Sequence, residues 1–218
     1  WICLLCNTSD GPSHKNKSLI IVPLKDAAGR RAKGIEVQKI KKFGMWSSDT
    51  AQIFFDEVRV PVRHRIGEEG MGFIYLMTEL PQERLSIAIG AQAAAQRTFD
   101  QTVEFVRERK AFGKPILDFQ NTRFVLADLK TKLQVGWAHI DWALARHLKR
   151  ELTPEEASAA KLWHTELQGE IVDKCLQLHG GAGYMNEYAI ARVWRDARVR
   201  RIYGGTSEIM KELVGRGL

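Results

Sequence analysis

Two different hydrophobic periods divide the chain. Up to about residue 65, apolar positions come in short β-branched runs. Ser18–Val22 (SLIIV) is stopped by Pro23, and Ile53–Val60 (IFFDEVRV) is bounded by Pro61. Ser9-Asp10-Gly11-Pro12, Gly29 and Phe43-Gly44 supply turn residues around them. Short strands without helices between them predict part of an antiparallel barrel or sandwich over residues 1–65. After Gly70 the period becomes helical. Leu85, Ala88, Gln92, Ala95, Phe99 and Val106 recur at spacings of three, four and seven. Leu126, Leu129, Leu133, Trp137, Ile140 and Leu144 form a second stripe, and Ala160, Trp163, Leu167, Ile171 and Leu178 a third. Thr153-Pro154-Glu155-Glu156 reads as an N-cap, a proline at the first helical position and a capping-box glutamate. Gly180–Gly183 ends that helix, and Gly204-Gly205-Thr206-Ser207 introduces a last short one. The fold expected is mainly α: a C-terminal antiparallel four-helix bundle over 66–218, preceded by part of an antiparallel β-domain.

Composition narrows the classes. The 218 residues are 44% hydrophobic and 27% charged, with a mean hydropathy of -0.26, as in soluble globular chains. No window holds the ~18 consecutive apolar residues of a membrane span. A net charge of +7 raises nucleic acid as a partner. The excess is local, however: residues 1–65 carry 12 Lys and Arg against 6 Asp and Glu, and 66–218 carry 21 against 20. Aromatic–basic interleaving and a recognisable nucleic-acid module are missing. The basic stretch around Lys39, Lys41 and Lys42 reads either as a solvated face or as a surface for a phosphate-bearing small ligand. Cys3, Cys6 and Cys175 are too few for a disulfide scaffold, and the Cys3–Cys6 pair has no second cluster beside it. All three read as buried thiols of a reducing compartment. The opening Trp-Ile-Cys-Leu-Leu-Cys has no basic start or small-residue cleavage site and looks like the inside of a strand.

Three segments depart from ordinary bundle sequence. In Leu80-Pro81-Gln82-Glu83-Arg84 a proline loosens a helical turn. Glu83 is then a solvated helix glutamate, or one paired with Arg84 or Arg97, or a group presented at an opening. Arg107–Pro115 is a basic helix end running into a Gly-Pro turn; its arginines either complement the helix dipole or fork onto a diphosphate. The glycine-rich stretches Gln177–Tyr184 and Ile202–Glu208 serve as C-caps or as loops that let a ligand reach the backbone. Thr206 and Ser207 open a helix whose free N–H groups suit an anion. His179 is either a hydrogen-bonded core histidine or a ligand contact.

In this order, ERKAFGKP followed by Gln120, then QLHGGAGYMNEY, then RDARVRRIYGGTSEI resemble the acyl-CoA dehydrogenase family. The resemblance extends over essentially the whole chain, including DEVRVP before the bundle. It implies FAD-dependent α,β-dehydrogenation of an acyl-CoA thioester, in which a glutamate takes the α-proton and flavin the β-hydride. Many members carry Tyr-Glu-Gly-Thr in the last motif, with that glutamate as base. Tyr203-Gly204-Gly205-Thr206 lacks it, as does the long-chain and isovaleryl-CoA subgroup. There the base sits one turn before the long helix, in a segment similar to Pro81–Arg84, so the resemblance makes Glu83 the catalytic base. It also implies that Arg109, Phe112 and Gln120 contact flavin across a dimer interface. Gln177, Leu178, His179, Gly180 and Gly181 would meet the adenosine-diphosphate end of FAD, and Thr206, Ser207 and Glu208 would bind near the flavin. Gln82, Arg84, Gly204 and Gly205 would line the acyl-CoA site, Gly204 lending its backbone N–H to the thioester carbonyl.

A homodimer or homotetramer, electron-transfer flavoprotein as oxidant and no metal are further implications. So is a location in bacterial cytoplasm or mitochondrial matrix. The resemblance also places a helical domain and the first strands of the β-domain upstream, so this stretch by itself is expected to be inactive and to hold FAD weakly. An oxidase passing electrons to oxygen and a non-catalytic helical assembly module are the alternatives.

Overall fold

A computed structural model describes residues 1–218. It divides into two compact units, Trp1–Glu79 and Leu80–Leu218. The first holds strands β1 (Ile2–Asn7), β2 (Lys17–Val22), β3 (Ile35–Lys39), β4 (Ala51–Phe55) and β5 (Arg65–Ile66). β1, β2 and β5 form an antiparallel sheet in that order, with Leu5 opposite Leu19 and Leu19 opposite Ile66. β3 and β4 pair separately, Ile35 opposite Phe55. Leu19, Val22 and Ile35 are its buried apolar residues. The strand expected over 53–60 stops at Phe55, because Glu57 takes a left-handed φ of 49° and breaks the extended run. Cys3 is exposed and Cys6 half-buried, so of the three thiols only Cys175 is the buried group expected.

The mainly helical remainder contains α1 (Gly72–Glu108), α2 (Gln120–Leu148), α3 (Pro154–His179), α4 (Ala189–Ala197) and α5 (Ser207–Gly215). The 37 residues of α1 pass through Pro81 without a break, and the boundary between the units falls within this helix, just before the proline. Between α1 and α2 lies a small hairpin of β6 (Lys110–Ala111) and β7 (Lys114–Pro115). α1, α2 and α3 run up, down and up. Val106, Leu126 and Cys175 share one end of the core, and Ala88, Ile140 and Ala160 the other. α3 is central, packed by α2, α4 and α5.

The α1 stripe is buried as the spacing predicts. Of the other stripes, Trp137 and Leu178 are half-buried and two positions are exposed. Leu144 and Trp163 are 37% exposed, while Ala143 and His164 are fully buried. Spacings of three and four both satisfy a helical stripe, so adjacent positions compete at its edge, and here the smaller or hydrogen-bonding residue turns inward. The capping box at Thr153 forms as read: Glu156 N–H donates to Thr153 Oγ1, and Thr153 N–H to Glu156 Oε2 at 3.0 Å. Gly180 caps α3 with a φ of 56°. No helix is long and apolar enough to cross a membrane.

Candidate active site

The candidate residues fall into two groups at opposite ends of the bundle. At the first end, α1 carries Gln82 and Glu83 exposed on its outer face, Glu83 in no ion pair. Glu83 lies within α1, in its fourth turn, rather than one turn before the long helix. Its neighbour Arg84 turns inward. Arg84 is buried and donates to Ser158 Oγ at 3.3 Å, while its Nε has no partner. Burial holds this guanidinium below its ordinary range, against the pull of Glu83.

The turn Tyr203–Thr206 reaches the same end. Gly204 and Gly205 both lie in the left-handed region, with φ of 65° and 99°. A Cβ on Gly204 would stand 2.5 Å from Ile87 Cδ1. Ile87 is one turn along α1 from Glu83 and so on the same face of the helix. Any side chain at 204 would therefore need Ile87 to shift its terminal methyl and would strain a left-handed backbone, and the turn abuts the stretch of α1 that presents Glu83.

α3 secures this turn from below. Lys161, fully buried, donates to Gly205 O at 2.6 Å. Glu166 accepts from Ser207 Oγ at 2.6 Å and from Arg201 at 3.1 Å. Arg201 lies across α3 at Gly169, where a Cβ would meet its Nη2 at 2.8 Å. Thr206 is the N-cap of α5, its hydroxyl accepting from Ile209 N–H. The hydroxyls of Thr206 and Ser207 are therefore committed within the chain, and so is the N–H of Ile209. Glu208 occupies the first turn of α5, exposed; its own backbone N–H and the Thr206 hydroxyl hold its carboxyl below the usual range.

The second group gathers where α1 ends, α2 begins and α3 ends. Arg109 is exposed directly after α1, and Gln120 is exposed as the first residue of α2. Between them the two-residue turn Phe112-Gly113, with φ of 52° and 82°, closes the β6–β7 hairpin. Both positive φ values fit the tight primed turn, in which Gly113 is unstrained and Phe112 is held by the hairpin. Phe112 is 96% exposed at the tip, an apolar ring touching only the edge of Phe119. His179 stacks on Phe105 of α1 with centroids 4.2 Å apart, and its Nδ1–H donates to Cys175 O at 2.8 Å. Burial pulls its pKa down against that hydrogen bond. Gln177, Gly180 and Gly181 are exposed, Leu178 is half-buried, and nothing stands within 4 Å of a Cβ built on either glycine.

Glu83 and Arg109 are 26 residues apart on and just beyond one continuous helix, roughly 39 Å at helical rise. One chain therefore brings Glu83, Gly204 and Gly205 together, and separately Arg109, Phe112, Gln120 and Gln177–Gly181. Sequence reasoning missed Lys161, Ser158 and Glu166. All three sit in α3 at positions that read as an ordinary helix, and only their long-range partners reveal them.

The family profile described as acyl-CoA dehydrogenase, C-terminal domain matches residues 70–218. Long-chain specific acyl-CoA dehydrogenase, mitochondrial, of Rattus norvegicus is 50% identical over 182 residues, 84% of this chain and 42% of the rat protein. The crystal structure of an acyl-CoA dehydrogenase from Geobacillus kaustophilus superposes with a TM-score of 0.91 at 40% identity, covering 99% of this chain and 56% of that one. A glutaryl-CoA dehydrogenase from Mycobacterium smegmatis in complex with FADH2 does so with a TM-score of 0.87 at 25% identity, covering 99% and 53%. The chain thus spans about half the length of these proteins. The two glycine-rich turns, the basic hairpin and the proline-bearing start of α1 all lie within the matched domain, and the chain belongs to the acyl-CoA dehydrogenase family.

Proposed function

We propose that the full-length protein desaturates an acyl-CoA thioester between its α and β carbons, with Glu83 as base and FAD as cofactor. One observation carries this reading: the Gly204–Gly205 turn abuts Ile87, one helical turn from Glu83. The reaction needs a carboxylate beside the α-proton and fixed donors at the thioester carbonyl, where negative charge develops. Glu83 is an exposed carboxylate on the helix face that the turn abuts, and the turn supplies the backbone N–H of Gly204. FAD, when bound, takes the β-hydride.

The residues present fit a flavin dinucleotide. The open glycine platform at Gly180–Gly181 admits a flat or phosphorylated group close to the backbone. Arg109 is free in solvent to fork onto a diphosphate. The roughly 39 Å between Arg109 and Glu83 supports an arrangement in which one copy's Arg109, Phe112 and Gln120 serve the flavin that lies beside another copy's Glu83. A homodimer or dimer of dimers follows from it. Residues 1–65 then belong to the middle β-domain of the full-length protein and 66–218 to its C-terminal domain. Electron-transfer flavoprotein is the oxidant the family resemblance supports, and matrix or bacterial cytoplasm the location.

Glu83→Gln in the full-length protein preserves shape while removing the base. Turnover should fall by ~10² to 10⁴ with FAD content and acyl-CoA binding near wild type. Wild-type turnover by this variant would place the base elsewhere.

A further inference from the structure

We propose that Lys161 is a positioning residue for the reaction, clamping the Gly205 carbonyl so that the Gly204 N–H faces the thioester oxygen. The inference rests on the function proposed above and extends it to a residue that touches neither substrate nor cofactor. Lys161 is fully buried in α3, and Gly205 O, at 2.6 Å, is its hydrogen-bond acceptor. It has no ion-pair partner; Glu166 and Glu208 act on it only from a distance. The buried guanidinium of Arg84 opposes it with like charge. Two cations in one corner of a bundle are costly to bury, and an apolar side chain of the same length would pack there more cheaply. The packing of the helix therefore does not explain an ammonium at 161; the carbonyl it holds does.

That carbonyl belongs to the stretch of the site's backbone that side chains restrict least. Tyr203 is fixed by its N–H on Val199 O at 3.0 Å, and Thr206 by its carbonyl accepting from Met210 N–H at 2.9 Å. Between them lie two glycines, both at positive φ, with no Cβ to restrict rotation. The bond from Lys161 is a third fixed point inside this pair. Without it, the peptide carrying the Gly204 N–H is free to swing away from the place where charge develops. A donor misplaced by an ångström loses most of its worth in the transition state.

The test uses the full-length holoenzyme and its Lys161→Met variant. Infrared difference spectra record the carbonyl stretch of a bound acyl-CoA thioester. Turnover is measured beside the Kd for a CoA thioether that lacks the carbonyl. In wild type the stretch should be lowered on binding. In Lys161→Met it should move back toward its value in solution and kcat should fall roughly ten- to a hundredfold. The thioether Kd should stay within about twofold, a split that a general loss of packing would not give. Lys161→Arg, which keeps a donor, should recover part of both signals. If Lys161→Met fails to retain FAD, Lys161→Gln, too short to reach Gly205, is measured in its place with the same expectation. A lowered stretch and wild-type kcat in the Met or Gln variant would overturn the role of Lys161. An unshifted stretch in wild type would instead overturn the carbonyl-binding role of the Gly204 turn, and the proposal with it.

Discussion

His164 shows how much of the bundle depends on the state of one side chain. It is fully buried between α1 and α2, and its hydrogen bonds have a single consistent direction. Gln92 Nε2 donates to Leu133 O at 2.9 Å, which leaves Gln92 Oε1 to accept from His164 Nδ1–H at 3.0 Å. His164 Nε2 must then accept from His139 Nδ1–H, 3.2 Å away. A proton added at His164 Nε2 would face the His139 Nδ1–H donor, and burial, with His139 beside it, lowers the pKa of His164 from 6.5 to about 3. The folded state therefore binds fewer protons here than the unfolded chain does. Its contribution is full above pH 6.5 and is lost as the pH falls from there toward about 3. Urea unfolding of the full-length protein at pH 7.5 and 5 should show a drop in stability that is smaller in His164→Gln. Equal pH dependence in the two would show that another group sets it.

Gly204 makes a second prediction at this scale. If Glu83 and position 204 face the same proton, a glutamate moved to 204 in a Glu83→Gly background should restore some turnover. The new side chain meets Ile87 Cδ1 and a backbone φ of 65°. The rescue should therefore be partial, and greater when Ile87→Ala clears the contact. No recovery in either background would separate the two positions.

The elements were legible to the extent that one residue's neighbours in sequence decide its conformation. Thr153, Pro154 and Glu156 lie within four residues, and the capping box they spell is the one that forms. Thr153→Ala should cost about 1 kcal/mol of stability in thermal or urea unfolding. A cost near zero would mean that tertiary packing alone holds that end of α3. The α1 stripe was equally plain, since Leu85 through Val106 repeats one period for six turns. What escaped was β3, whose five residues carry only Ile35 and Val37 as apolar signal. The burial of Arg84 and Lys161 escaped as well. Their spacing is that of solvated helix residues, and they turn inward because Ser158 and Gly205, 74 and 44 positions away, supply acceptors. Interactions of that sequence separation leave no mark in a local pattern.

At the scale of the whole molecule, the two groups of candidate residues make a claim about subunits. Arg109 stands roughly 39 Å along α1 from Glu83, too far for both to act closely on one flavin within one chain. In a symmetric dimer the second copy returns its Arg109 to the first copy's site, and each site is then built from both chains. Arg109→Ala should weaken FAD retention through loss of a charge-assisted contact of about 1.5–3 kcal/mol, while Arg107→Ala, two residues earlier on another face of α1, should be tolerated. Mixing then separates the arrangements. In a dimer of one Glu83→Gln chain and one Arg109→Ala chain, one site carries both defects and the other carries neither. Random reassembly of equal amounts should give about half mixed dimers, each with one intact site, and about a quarter of wild-type turnover at limiting FAD. If Arg109 serves the flavin of its own chain, every site in the mixture holds one defect and turnover stays at the level of the separate variants. Turnover that does not rise on mixing, with mixed dimers confirmed by mass, would end the shared-site arrangement.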